Sequence, residues 1–133
     1  MLGKELGSAS GKRTGRRVLS VDGGFKVEVS FESKGTLLGT PFFEIGTYTS
    51  GNRPDGSIYG EGQGVVISQD GDVITWKGAG AGVLTAGGGA RYRGAVYYST
   101  SAPKFASLNK IAAVFEFEGD AEGNTSTKLW EWS

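Results

Sequence analysis

The chain has 133 residues with no cysteine and no histidine, and its 14 basic side chains balance 14 acidic ones. That length suits one domain with a real core. The two missing residue types exclude disulfides, thiolate metal sites, cysteine nucleophiles, Ser-His-Asp triads and the usual zinc ligands; no metal or cofactor is expected, and any catalysis falls to Glu, Asp, Lys, Arg or Tyr.

In chain order, residues 1–10 read as a flexible tail. The first 20 residues hold Lys4, Lys12, Arg13, Arg16 and Arg17 against Glu5. Neither an RNP-like aromatic motif nor a basic helix accompanies that charge, so it reads as a solvated tail or first strand with no nucleic-acid partner. The segment also lacks the apolar core of a secretory signal, and no apolar run approaches the roughly 20 residues of a membrane helix. A cytoplasmic protein with no membrane association is the expectation.

Strand after strand follows. GRRVLSV ends at Asp22-Gly23-Gly24, a turn signal, and FKVEVSFES (25–33) alternates with Phe25, Val27, Val29 and Phe31 on one face. TLLGTPFFEIGTYT (36–49) is more apolar, and Pro41 marks an edge, bend or bulge. After turn material at 50–57 come IYGEGQGVVIS, VITWKGAGAGVLT and RYRGAVYYST, separated by QDGD and AGGGA. SAPKFASLNK (101–110) breaks the alternation, and Pro103 suits the start of one short helical turn or a loop. IAAVFEFE and TSTKLWEW close the chain around GDAEGN. Eight strands at hairpin spacing, with no long amphipathic helix, predict an all-β fold over 1–133. A closed, or nearly closed, eight-stranded antiparallel meander barrel solves the edge problem of such a sheet; a two-sheet sandwich is the alternative.

The stretch GEGQGVVISQDGDVITWKGAGAG (60–82) carries the functional question. A phosphate cradle needs a strand, a Gly-rich turn and then a helix N-terminus, and no helix pattern follows these glycines. Asp70-Gly71 favours a two-residue type I′ hairpin. That register pairs Val65 with Trp76 and Ile67 with Ile74, and sets Glu61 opposite Gly80 and Gln63 opposite Gly78 on the same inner face. Past the apolar plug, the inner face then carries two polar side chains and bare backbone. Neighbouring rings cover that backbone, or a ligand-sized cavity remains.

On the next strand the parity is open: either Tyr92, Val96 and Tyr98 face the glycines, or Arg91, Arg93 and Tyr97 do. Glu61 is the first candidate for an inner carboxylate, and Glu44, with Phe42 on its own face, is the second; burial drives the pKa of such groups upward. Phe115 and Phe117 are expected inside with Glu116 and Glu118 outside; Trp130 and Trp132 share one face, expected in the core, with an interface patch as the alternative.

The order GEGQG, the Asp70-Gly71 turn, W-x-G-x-G-x-G, RGAVYYST, FEFEGDAEGN and LWEW over residues 24 to 133 resembles small bacterial barrel proteins related to the allene oxide cyclase and dirigent fold, several with no assigned activity. The resemblance implies an eight-stranded antiparallel barrel, often oligomeric, with an apolar cavity at one mouth. In the cyclases that cavity holds a fatty-acid epoxide, and a carboxylate with a bound water steers ring closure. Pro41-Phe42 matches a Pro-Phe pair near the cyclase site; no catalytic residue carries over.

The expected function is binding of a small, mostly apolar ligand in a lipocalin-like manner. Glu61 and Gln63 serve as polar anchors, Trp76 with Tyr97 or Tyr98 as walls, and Gly78 and Gly80 as the open side. The alternatives are an isomerase or cyclase using Glu61 or Glu44, and a filled-barrel interaction module. A homo-oligomer, dimer or trimer, is expected.

Overall fold

The computed structural model describes residues 2–133. Eight strands run β1 (Leu2–Ser20), β2 (Lys26–Leu37), β3 (Thr40–Asn52), β4 (Ile58–Ser68), β5 (Val73–Thr85), β6 (Gly89–Thr100), β7 (Ala113–Gly119) and β8 (Asn124–Trp132). Each pairs antiparallel with the next, and β8 returns to β1, so the sheet is a closed meander barrel. Closure leaves no unpaired edge along the wall.

Closure also corrects the expectation for the N-terminus. Leu2–Ser10 are not a tail but the first half of β1, where Gly7 lies between Leu37 of β2 and Leu129 of β8. The physical reason is that β1 must bridge both neighbours, and Leu6 and Ala9 are buried in doing so. The basic residues ride on this strand, and Arg17 reaches Glu28 across the β1–β2 ladder at 3.3 Å.

Inward positions follow strict alternation. β2 turns Val29, Phe31, Ser33 and Leu37 inward, and β3 turns Phe42, Glu44, Tyr48 and Ser50 inward. Phe117, Tyr92, Ile58 and Phe31 form one buried cluster. At the other end the 3-10 segment Pro103–Lys110 lays Phe105 and Leu108 over Leu37, Phe42, Val66 and Ile74 and plugs the barrel. The expected helical turn after Ser101 is therefore present, opened by Pro103.

The β4–β5 hairpin departs from the expected register. Its loop is Gln69-Asp70-Gly71, one residue longer than a two-residue turn: the Gly71 amide donates to the Ser68 carbonyl at 2.9 Å, and the Ser68 amide donates to the Asp72 carbonyl at 2.8 Å. Gly71 sits at φ +87, the left-handed position that closes three-residue hairpins. The buried Ser68 hydroxyl holds the loop by accepting from the Asp70 and Asp72 amides at 3.3 and 3.0 Å. Partners are consequently Val66 with Ile74, Gly64 with Trp76, Gly62 with Gly78 and Gly60 with Gly80. A one-residue slip moves every side chain to the other face. The glycines of β4 point in, and Glu61, Gln63, Val65 and Ile67 point out.

A second correction concerns β8. Its inward residues are Thr125, Thr127 and Leu129, so Trp130 is half-buried on the outer parity and Trp132 is 63% exposed rather than core. Phe115 and Phe117 face in, with Glu116 and Glu118 out, as the alternation predicted; their carboxylates meet Arg93 and Arg91 on the outer wall.

Candidate functional site

The barrel interior holds a partly open cavity of about 80 Å³. Phe31, Phe42, Tyr48, Trp76, Tyr92, Tyr98, Phe115 and Phe117 supply rings to its walls; Ala9, Val96, Thr127 and Leu129 complete the far side. Gly60, Gly62, Gly78 and Gly80 make the near side of bare backbone. The room vacated by glycine is largely taken by rings. A Cβ on Gly64 would strike the Trp76 indole, one on Gly46 the Phe31 ring, and one on Gly80 would lie 3.1 Å from Phe115. Covering strand glycines with aromatic side chains stiffens a sharply coiled sheet. What remains open is small: an apolar cavity of roughly 150 Å³ accepts benzene.

Phe31 organises the rings, with centroids 5.3 Å from Phe117, 6.2 Å from Tyr48 and 6.5 Å from Trp76. Tyr92 closes the turn end, its hydroxyl 2.5 Å from that of Ser50. Burial pushes the phenols of Tyr48, Tyr92 and Tyr98 up, and the charge of Glu44 adds to the shift at Tyr98, so all three are neutral at physiological pH.

Glu44 is the carboxylate that the alternation of β3 turns inward. The Ser33 hydroxyl donates to its Oε1 at 2.6 Å, and the Trp76 indole N–H donates to its Oε2 at 2.8 Å. Burial raises its pKa above the ordinary value; the Ser33 and Trp76 hydrogen bonds pull it partly back. Glu44 takes part in none of the ion pairs among the described residues, which all lie on the outer surface. A carboxylate on two neutral donors, at the wall of an aromatic cavity, is a hydrogen-bond acceptor and a proton acceptor without a counter-charge.

Of the residues singled out from the sequence, the structure brings Glu44, Trp76, Gly78, Gly80 and Tyr98 to one cavity. It does not bring Gln63 or Tyr97, which is 59% exposed; both line a groove on the outer wall with Glu28, Thr47 and Lys77. Glu61 is exposed on that outer face and is not an internal anchor. It borders the cavity only across the β4–β5 wall, which at Gly62 and Gly78 is one backbone thick between cavity and groove. The reason for all three corrections is parity. The longer β4–β5 loop turns Glu61 and Gln63 out, and even-numbered residues of β6 take the inside, leaving Tyr97 out with Arg91 and Arg93. Ser33 and Tyr48 were missed, although each continues an alternation already visible: Ser33 two residues after Phe31, and Tyr48 four after Glu44.

No family model matches the sequence, and no curated protein does. Solved structures do share the fold. A protein of unknown function from Clostridium acetobutylicum is 16% identical, with 98% of each chain covered and a TM-score of 0.84. A conserved protein of unknown function from Rhodopseudomonas palustris is 12% identical over 98% of this chain and 97% of that one, at a TM-score of 0.81. An enzyme from Penicillium herquei is 17% identical over 96% of this chain and 92% of that one, at 0.70. At such identities the likeness establishes the fold alone: this chain has the architecture of uncharacterised small bacterial β-barrel proteins.

Proposed function

We propose that the protein is a small-molecule-binding barrel whose site is the central cavity, with Glu44 as its polar anchor. The observation that carries this reading is Glu44 itself, a carboxylate facing an aromatic-walled cavity with two fixed donors and no counter-ion. A barrel needing only a packed interior gains nothing from a desolvated charge there, because an apolar side chain of similar volume is often as stable or more so. Few convergent polar groups in an otherwise apolar concavity are the usual make-up of a ligand site.

The Trp76 indole N–H reports on the site directly. Titration with ethanol, a neutral probe small enough for the cavity, is expected to shift its NMR resonance saturably. Thr127→Met, which adds a flexible side chain to the cavity wall, is expected to weaken that binding about tenfold or more while the protein stays folded. The reading is overturned if no probe of this size, neutral or charged, gives a saturable shift.

The outer wall supports a second role, self-association. Phe43, Ile67 and Val73 are consecutive partners across β3, β4 and β5, and Ile45 pairs with Val65 beside them. Ile45, Val65, Ile67 and Val73 are all exposed. Glu32 and Lys34 flank this patch on β2, opposite Ile45 and Phe43, and a two-fold arrangement sets their opposite charges against each other. The occupant we infer is therefore a second copy of the chain. Sedimentation at about 100 μM is expected to show a dimer that Ile67→Glu converts to monomer, an exposed site where substitution costs within roughly 0.5 kcal/mol of fold stability. A wild-type monomer at that concentration sinks this role.

A further inference from the structure

Resting on the reading of the cavity as a ligand site, we propose that its ligand is a small organic cation, an alkylammonium group held between the Glu44 carboxylate and the rings of Phe31, Trp76 and Tyr98. Three observations converge on that class.

The first is charge. The described residues give Glu44 no cationic partner. At the turn end, the Arg13 guanidinium lies by Gly123 and that of Arg16 by Gly88. Those two act electrostatically on Tyr48, whereas only burial and the Ser33 and Trp76 hydrogen bonds act on Glu44. A neutral ligand leaves the buried charge uncompensated, and an anion adds repulsion. A cation supplies what is missing.

The second is acceptor capacity. A carboxylate offers about four acceptor positions. Ser33 and Trp76 occupy one on each oxygen, so the group keeps positions for an N–H donor or for close approach of an N-methyl cation.

The third is the wall. Phe31 and Trp76 lie near-parallel, 29° apart, and Tyr98, buried as a neutral phenol, borders the same cavity. Aromatic π-systems attract ammonium groups, and more strongly where water is excluded. The cavity is about half the size of one that accepts benzene, which limits the occupant to roughly three non-hydrogen atoms.

Ethylammonium and ethanol match in size and differ in charge, so the pair isolates the inference. With the Trp76 indole resonance and calorimetry as readouts, ethylammonium is expected to bind at least about tenfold more tightly than ethanol. Glu44→Gln is expected to reduce the affinity for the cation about tenfold or more, and to leave that for ethanol within about twofold. Should Glu44→Gln not fold, the wild-type comparison decides alone. Equal or weaker binding of the cation overturns the inference and leaves the cavity reading standing, as does cation affinity unchanged in a folded Glu44→Gln protein. Failure of both probes to bind overturns the two together.

Discussion

Gly94→Ala is expected to cost at least about 3 kcal/mol, a large part of the stability of a domain this size. Gly94 faces inward on β6 opposite Gly80 of β5 and Phe115 of β7. A Cβ there runs into the Ala79 carbonyl and comes within 2.6 Å of the Gly80 Cα. Both are backbone atoms of the neighbouring strand, so no rotamer change relieves the clash; the β5–β6 ladder must part. Gly15→Ala is the control. Its Cβ meets nothing within 4 Å and its backbone is not in the left-handed region, so its effect is expected within about 0.5 kcal/mol. Urea unfolding of the two variants decides. A Gly94→Ala protein within about 1 kcal/mol of wild type would mean that the register assigned to β5 and β6 is wrong.

The same contacts show how far the sequence could be read. Strand number, meander order and closure were legible because hairpin signals and alternation are local, and because eight sequential hairpins leave two edges that only closure removes. The inward face of β7 was legible for the same reason: FEFE alternates without ambiguity. The β4–β5 hairpin was not, because its register depends on whether Gln69 or Asp70 begins the loop, and the Ser68 hydroxyl that selects the longer loop is a buried contact with no local signature. Apolar residues gave no warning. Val65 and Ile67 on one parity look as core-like as Val66 on the other, since the outer wall here carries its own apolar patch. Glu44 escaped this error because β3 is fixed on both sides, by Phe42 on its own face and by a full ladder to β2. Its contact with Trp76 runs diagonally from β3 to β5, across β4, and becomes visible only once that register is known.

Glu44→Gln and Glu44→Leu are expected to separate in stability at neutral pH by about 1–3 kcal/mol, with Leu the less stable. Gln keeps the geometry. Its amide oxygen accepts from the Trp76 indole, and its NH₂ donates to the Ser33 hydroxyl, which reverses its role at no structural cost. Leu fills similar space but strands the indole N–H and the Ser33 hydroxyl, and a stranded buried donor pays its full desolvation penalty. The pH dependence gives a sharper test. The folded-state pKa of Glu44 lies above its ordinary value of 4.5 because burial disfavours the anion. Between the unfolded and folded pKa values the native state therefore holds more proton than the unfolded chain, and stability falls as pH rises. The contribution of the protonated group is fully present below about pH 4.5 and lost as pH rises through the folded value. Glu44→Gln cannot titrate, so its stability relative to wild type is expected to improve from pH 4 towards pH 7, while a Gly15→Ala control tracks wild type throughout. A difference that stays flat across that range would show that Glu44 is not desolvated in the folded protein. Equal stability of the Gln and Leu variants would show that water in the cavity takes over the indole proton.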